Sequence, residues 1–145
     1  MKRGKQLAKK HQVKISTTSE NKLTLFSEAG LKPFLLEVPS HEQITTNNFF
    51  SNCDILIITI PPNRKKSEAM EYVSKMNWNI SQAENHQIKQ VIYTSSTSVY
   101  DGLENEVDET TILKEDNLRA TEIIINEENL LKNTNFNASI LRLGG

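Results

Sequence analysis

The chain has 145 residues, a formal net charge of −1, 37% hydrophobic and 24% charged residues. This is the profile of a soluble globular protein, and it excludes disordered and fibrous classes and any global electrostatic pull toward nucleic acid or an anionic membrane. A chain of this length buries roughly 68–70% of its unfolded surface, enough for one domain with a normal core.

The start, Met1 to Lys10, is basic but has no apolar stretch after it, so it does not read as a secretion signal. Short runs rich in β-branched residues then alternate with longer helical patterns. Val13–Thr17 reads as a strand. A helix follows, with Ser19 as N-cap, Glu20 in the first turn, Leu23, Phe26 and Ala29 as the apolar stripe, and Gly30 past the end. Pro33–Val38 reads as a second strand, whose proline suggests a sheet edge or the first position of the strand. Thr46–Asn52 reads as a short turn of helix around Phe49 and Phe50. Asp54–Ile60 is the strongest strand; Ile55 to Ile58 is apolar on both faces, as expected of a parallel strand covered on both sides.

Ser67 to about His86 carries Ala69, Val73, Met76, Ile80 and Ala83, a single buried helix face. Gln90–Ser95 is the fourth strand. Asp101–Asp116 is an acidic loop, Asp116–Leu131 a helix with Ala120, Ile124 and Leu131 on one side, and Ala138–Leu143 the fifth strand. Strand–helix alternation of this kind predicts an α/β fold: a Rossmann-like parallel sheet with helices on both faces and right-handed crossovers.

Cys53 is the only cysteine, which excludes an intrachain disulfide and fits a reducing cytoplasm. His11, His41 and His86 are scattered and read as surface or helix-end residues, so no metal site is expected. No apolar run approaches the length of a membrane span. Five charges near the start (Lys2, Arg3, Lys5, Lys9, Lys10) lack an accompanying aromatic platform and read as a solvated face rather than a nucleic-acid site.

In open parallel sheets, ligands bind beyond the carboxyl ends of the strands. Here those ends carry Thr17, Thr18 and Ser19; Thr59, Ile60, Pro61 and Pro62; Ser95, Ser96, Thr97 and Ser98; and Gly144 and Gly145. Hydroxyls at a strand end also satisfy backbone groups. Four such ends on one sheet edge favour a site.

The segment Thr94-Ser-Ser-Thr-Ser-Val-Tyr-Asp-Gly102 resembles the Ser-Ser-x-x-Val-Tyr-Gly signature of the extended short-chain dehydrogenases/reductases, in the nucleotide-sugar epimerase and dehydratase branch. Glu106-Val-Asp-Glu-Thr110 and Leu141-Arg-Leu-Gly-Gly145 are similar to two further segments of that branch. Lys14-Ile-Ser-Thr-Thr-Ser19 and Ala29-Gly-Leu-Lys-Pro-Phe-Leu-Leu36 are similar to its second and third strand regions. The resemblance covers nearly the whole chain.

It implies a dinucleotide cofactor and a small-molecule substrate. By resemblance, Ser96 is the catalytic hydroxyl that holds the reacting substrate oxygen, with Thr97 and Tyr100 beside it in the substrate pocket. Gly4 matches the last glycine of the phosphate loop. Thr18 and Ser19 fall near the adenosine ribose, Thr59, Ile60, Pro61 and Pro62 near the adenine-ribose side, and Thr17 and Ser95 by the cofactor. No acidic residue ends the Val13–Thr17 strand and Lys22 is close, which tilts the choice between NAD and NADP toward NADP.

The family's tyrosine–lysine pair is not found. Four residues after Tyr72, Tyr93 and Tyr100 stand Met76, Thr97 and Glu104. An atypical branch also lacks the pair; Arg119 stands near its expected place and reads first as a solvated helix residue, with a positive charge for the site as the alternative. Two readings of function follow: an NAD(P)-dependent epimerase, dehydratase or reductase, or a non-catalytic dinucleotide-binding or redox-sensing module.

The family's first strand and first two loop glycines are expected before Met1, and its substrate domain after Gly145, so residues 1–145 read as a partial NAD(P)-binding domain. Without a central first strand, Val13–Thr17 and Asp54–Ile60 are expected to expose sheet edges open to self-association, and the isolated chain to be marginally stable and to bind dinucleotide poorly.

Overall fold

The computed structural model describes residues 2–61, 70–103, 106–113 and 118–144. The chain forms two compact units, Met1–Ser51 and Asn52–Gly145.

The first unit contains α1 (Lys2–Leu7), β1 (Lys14–Thr17), α2 (Asn21–Glu28), β2 (Lys32–Leu35) and α3 (Gln43–Phe50). β1 and β2 pair in parallel, with Ile15 opposite Pro33 and Thr17 opposite Leu35. β2 is an edge strand, where a proline's missing N–H is tolerated. α2 begins two residues after Ser19. Glu20, not Ser19, is the flanking residue, and no side chain caps the helix. Thr17 Oγ1 instead accepts the Ser19 N–H at 3.1 Å, closing a local turn in place of a cap. Gly30 ends the segment with φ at +77°, a conformation that favours glycine.

α3 starts three residues earlier than the sequence suggests. Its Phe49 meets Phe34 of β2 edge-on at 5.5 Å between ring centres, and Phe50 is buried. Lys14 of β1 donates to the carbonyls of Asn48 and Ser51 at 2.7 and 2.6 Å. A cation there satisfies carbonyls at and just past the helix C-terminus and complements the negative end of the helix dipole.

The second unit contains β3 (Ile55–Ile58), α4 (Glu71–Asn85), β4 (Gln90–Ser96), a single 3₁₀ turn (Thr97–Tyr100), α5 (Leu118–Leu131) and β5 (Asn137–Leu143). The strands form a parallel sheet in the order β3-β4-β5. Each strand follows a helix or leads into one, as parallel crossovers require. Pro62, Ser67, Ala69, Asp116 and Gly145, named from the sequence, lie outside the described residues.

Side chains alternate across this sheet. Leu56, Ile58, Val91, Tyr93 and Ser95 lie on one face and are all buried. The opposite face carries Ile55, Ile57, Leu141 and Leu143, which are 53, 47, 48 and 44% exposed. The continuous Ile55–Ile58 run therefore has one buried face and one open one. Among the described residues, β3 pairs with β4 alone and β1 with β2 alone.

α4 buries Val73, Met76, Ile80 and Ala83, the stripe expected from their spacing. On α5 the spacing misplaces the last turn: Leu130 is fully buried and Leu131 is 64% exposed. The inner face of α5 also carries Glu122, Asn126 and Glu127, all buried, where an apolar stripe would be expected. Leu130→Ala is expected to destabilise the protein by about 2–5 kcal/mol, and Leu131→Ala by no more than about 0.5 kcal/mol. Urea denaturation of the two variants checks this, and equal losses would contradict the assignment.

Candidate functional site

In the second unit a cleft of about 190 Å³ opens beyond the carboxyl ends of β3 and β4. Thr59, Ile60 and Pro61 form one side, and Thr94, Ser95 and Ser96 another. Tyr72, Tyr93, Arg119 and Ile123 complete the lining. Of the residues expected at the site, the cleft brings together Thr59, Ile60, Pro61, Ser95 and Ser96.

Thr97 and Tyr100 are not among its lining residues. The Thr97 hydroxyl points to the Leu143 carbonyl at 3.4 Å. Tyr100 donates its proton to the Asp108 carbonyl at 2.9 Å and lies beside the Arg142 guanidinium. Gly4, Thr17, Thr18 and Ser19 belong to the first unit. Gly4 lies within α1, and a β-carbon there would meet Leu31 at an ordinary contact distance of 3.5 Å. Thr18 is exposed at the end of β1.

Several residues that line the cleft carry hydroxyls. Tyr72 donates to the Ile60 carbonyl at 2.9 Å, and its oxygen lies 2.7 Å from that of Tyr93. One arrangement satisfies both contacts: Tyr93 donates to Tyr72, and Tyr72 to Ile60. Burial pushes both phenols above their ordinary range, Tyr72 the more strongly. Neither is a candidate phenolate at neutral pH. Thr94 donates to the Ile58 carbonyl at 3.2 Å. Arg119, exposed at the start of α5, makes no hydrogen bond or ion pair with any other described residue, and its charge is felt at Tyr72.

Behind the wall lies an ion pair that the sequence reading missed. Ser95 donates to Glu127 Oε1 at 2.5 Å. Arg142 Nε lies 3.2 Å from each carboxylate oxygen of Glu127, and its Nη2 lies 2.6 Å from Oε2. Glu127 is only 3% exposed. Ser95 and Arg142 are register partners on β4 and β5, so one helical carboxylate grips both strands. The usable signal was a glutamate on the buried stripe of α5, between Ile123 and Leu130. A carboxylate in that position calls for a cation, and Arg142 is the charged residue inside the last strand.

Among the described residues no cluster of histidine, cysteine, aspartate and glutamate could hold a metal, and no helix is long and apolar enough to cross a membrane.

The fold and this placement of polar groups are those of a nucleotide-binding α/β protein. The chain belongs to the NAD(P)H-binding family, whose model matches residues 4–145. The resemblance to extended short-chain dehydrogenases/reductases carried by Thr94–Gly102 agrees with that membership. Among solved structures, the chain is similar to UDP-glucose 4-epimerase from Bifidobacterium longum in complex with NAD+ and UDP, at 17% identity and a TM-score of 0.75, over 96% of this chain and 48% of that one. It is similar to the UDP-Glc/GlcNAc 4-epimerase of Campylobacter jejuni at 16% identity and a TM-score of 0.74, over 95 and 47%. The triphenylmethane reductase of Citrobacter sp., complexed with NADP(H), matches at 12% identity and a TM-score of 0.65, over 89 and 39%. At these identities the likeness establishes the fold. The chain spans about half the length or less of these three structures. No curated protein matches it.

The tyrosine pair gives a pH prediction. A phenol whose pKa is raised by folding keeps its proton in the native state while the unfolded chain loses it above about pH 10. Stability contributed this way is present below pH 10 and falls as pH rises beyond it. Tyr72→Phe is expected to flatten that alkaline decline, measured as melting temperature between pH 8 and 11. An unchanged slope would contradict the assignment.

Proposed function

We propose that this chain is the cofactor-binding part of an NAD(P)-dependent epimerase, dehydratase or reductase acting on a small molecule, and that the cleft beyond β3 and β4 takes one end of the dinucleotide. The observation that carries this reading is the convergence of Thr59–Pro61 with Ser95, Ser96 and the cation Arg119 at one end of a parallel sheet. The cleft is smaller than the ~300–1,000 Å³ of a site for a drug-sized ligand, so it suits one ring or sugar rather than the whole dinucleotide. Bound there, the dinucleotide supplies hydride chemistry.

This chain's residues bind and orient. Ser96 accepts the Ser98 N–H at 3.1 Å, which fixes the hydroxyl and leaves its own proton for a ligand oxygen. Arg119 supplies positive charge for a ligand oxygen near the place where the family puts a lysine. Lys22, after β1, supports NADP over NAD. The lone thiol Cys53 supports a reducing cytoplasm. The strand edges that are unpaired among the described residues, and the exposed Ile55, Ile57, Leu141 and Leu143, support self-association.

A second reading, a non-catalytic dinucleotide-binding or redox-sensing module, is favoured by one observation: the two phenols in the cleft have their protons engaged with protein acceptors. Turnover of candidate sugar nucleotides separates the two readings: an epimerase or dehydratase returns its hydride and is followed by NMR of the sugar product, whereas a reductase is followed as loss of NADPH absorbance.

Titration of ¹⁵N-labelled protein with NADPH and NADH is expected to move the amide resonances of Thr59, Ile60, Ser95 and Ser96, with NADPH the tighter ligand. Arg119→Ala is expected to weaken binding roughly tenfold. No movement of these resonances at millimolar ligand would sink the reading.

A further inference from the structure

The cleft's hydroxyls differ in where their protons point. Glu127 is buried and held by three contacts from Arg142, a side chain that does not give up its proton. The carboxylate therefore accepts only. In the 2.5 Å contact with Ser95, the serine must be the donor, and the length is that of an O–H to a charged oxygen. A serine has one proton, so Ser95 has none left for the cleft. The same holds for Thr94, Tyr72 and Tyr93, whose protons go to the Ile58 carbonyl, the Ile60 carbonyl and the Tyr72 oxygen. Ser96 is arranged the other way: its oxygen accepts a backbone N–H and its proton stays available.

We propose that Ser95, oriented by the Glu127–Arg142 pair, is a specificity-determining acceptor on an inner wall of acceptors, so that the ligand group seated against it is a hydrogen-bond donor, an amide N–H or a sugar O–H. Anionic and carbonyl groups of the same ligand are left to Ser96 and Arg119 at the wall's edge. Glu127 and Arg142 are positioning residues: they touch no ligand and act through Ser95. The inference rests on the cofactor reading of the cleft for the identity of the ligand, and on geometry alone for the direction of the Ser95 proton.

Two measurements test it. The first is the Ser95 hydroxyl proton in the ligand-free protein, sought by NMR as a slowly exchanging resonance. It is expected to show proximity to the Glu127 methylenes and to persist when NADPH saturates the site. A Ser95 proton directed away from Glu127, or one that leaves it on binding, overturns the proposal. The ligand-free half of this measurement holds even if no dinucleotide binds, in which case only the cofactor reading fails.

The second measurement is a double-mutant cycle on NADPH affinity. Ser95→Ala is expected to weaken binding about fivefold, the effect of one hydrogen bond. Glu127→Gln can turn an amide N–H toward Ser95 and release the serine proton into the cleft, so a similar loss is expected. Because both act through one hydroxyl, the double variant is expected to bind no more weakly than the weaker single one. Full affinity in Ser95→Ala, or losses that multiply, overturns the proposal. If Glu127→Gln fails to fold, Ser95→Ala and the hydroxyl resonance still decide, since Ser95→Ala leaves the Glu127–Arg142 pair in place.

Discussion

Glu127 sits on the inward face of α5, where the helix meets the sheet, at 3% exposure. Moving a carboxylate out of water costs several kcal/mol unless a counter-charge and further hydrogen bonds replace its hydration. Here the replacement comes from two strands at once. Arg142 of β5 supplies the charge, and Ser95 of β4, its register partner, supplies a hydroxyl. A one-residue slip of β5 against β4 would turn Arg142 to the open face of the sheet and leave a bare buried charge. The pair thus fixes strand register, the height of α5 over the sheet and the direction of the Ser95 proton. It also reaches the segment after β4, because Arg142 packs on Tyr100, whose hydroxyl holds the Asp108 carbonyl.

The elements that could be read from the sequence are those fixed by local pattern. Val73, Met76, Ile80 and Ala83 repeat at helical spacing because one face of α4 must be dry. The apolar run at Ile55–Ile58 and the hydroxyls ending β4 placed a strand and a strand end correctly. The misreadings came where a competing local turn, a one-residue phase error or a distant partner overrides the simple pattern. Ser19 has the chemistry of a cap, but Thr17 engages its N–H and the helix starts later. Leu131 fits the stripe by spacing, yet Leu130 is the residue that faces the core. Glu127 broke the stripe in plain view, but its partner lies fifteen residues away on β5.

The site shows the same division. Thr59, Ile60, Pro61, Ser95 and Ser96 could be named from the rule that parallel sheets bind ligands at their carboxyl ends, and the cleft gathers them. Tyr100, reached through the same motif, faces Arg142 and Asp108 instead. The motif's spacing places a tyrosine four residues after Ser96 but does not fix which way the 3₁₀ turn carries it. That depends on the arginine of β5.

Membership of the NAD(P)H-binding family and the absence of a tyrosine–lysine pair coexist because they rest on different parts of the molecule. Cofactor binding in this fold uses strand ends and backbone, which tolerate wide changes of sequence. Proton transfer needs a particular acid with a shifted pKa. In this cleft burial moves the phenols the wrong way for that task, upward and toward the neutral form. What the wall offers is fixed hydrogen-bond direction, and direction discriminates between ligands of equal size. An acceptor facing an acceptor leaves two buried groups unpaired, at a cost of about 1–3 kcal/mol each. The buried ion pair that pins the register of β5 therefore also sets the direction of one serine proton at the cleft, and on the proposed reading that direction selects the ligand group.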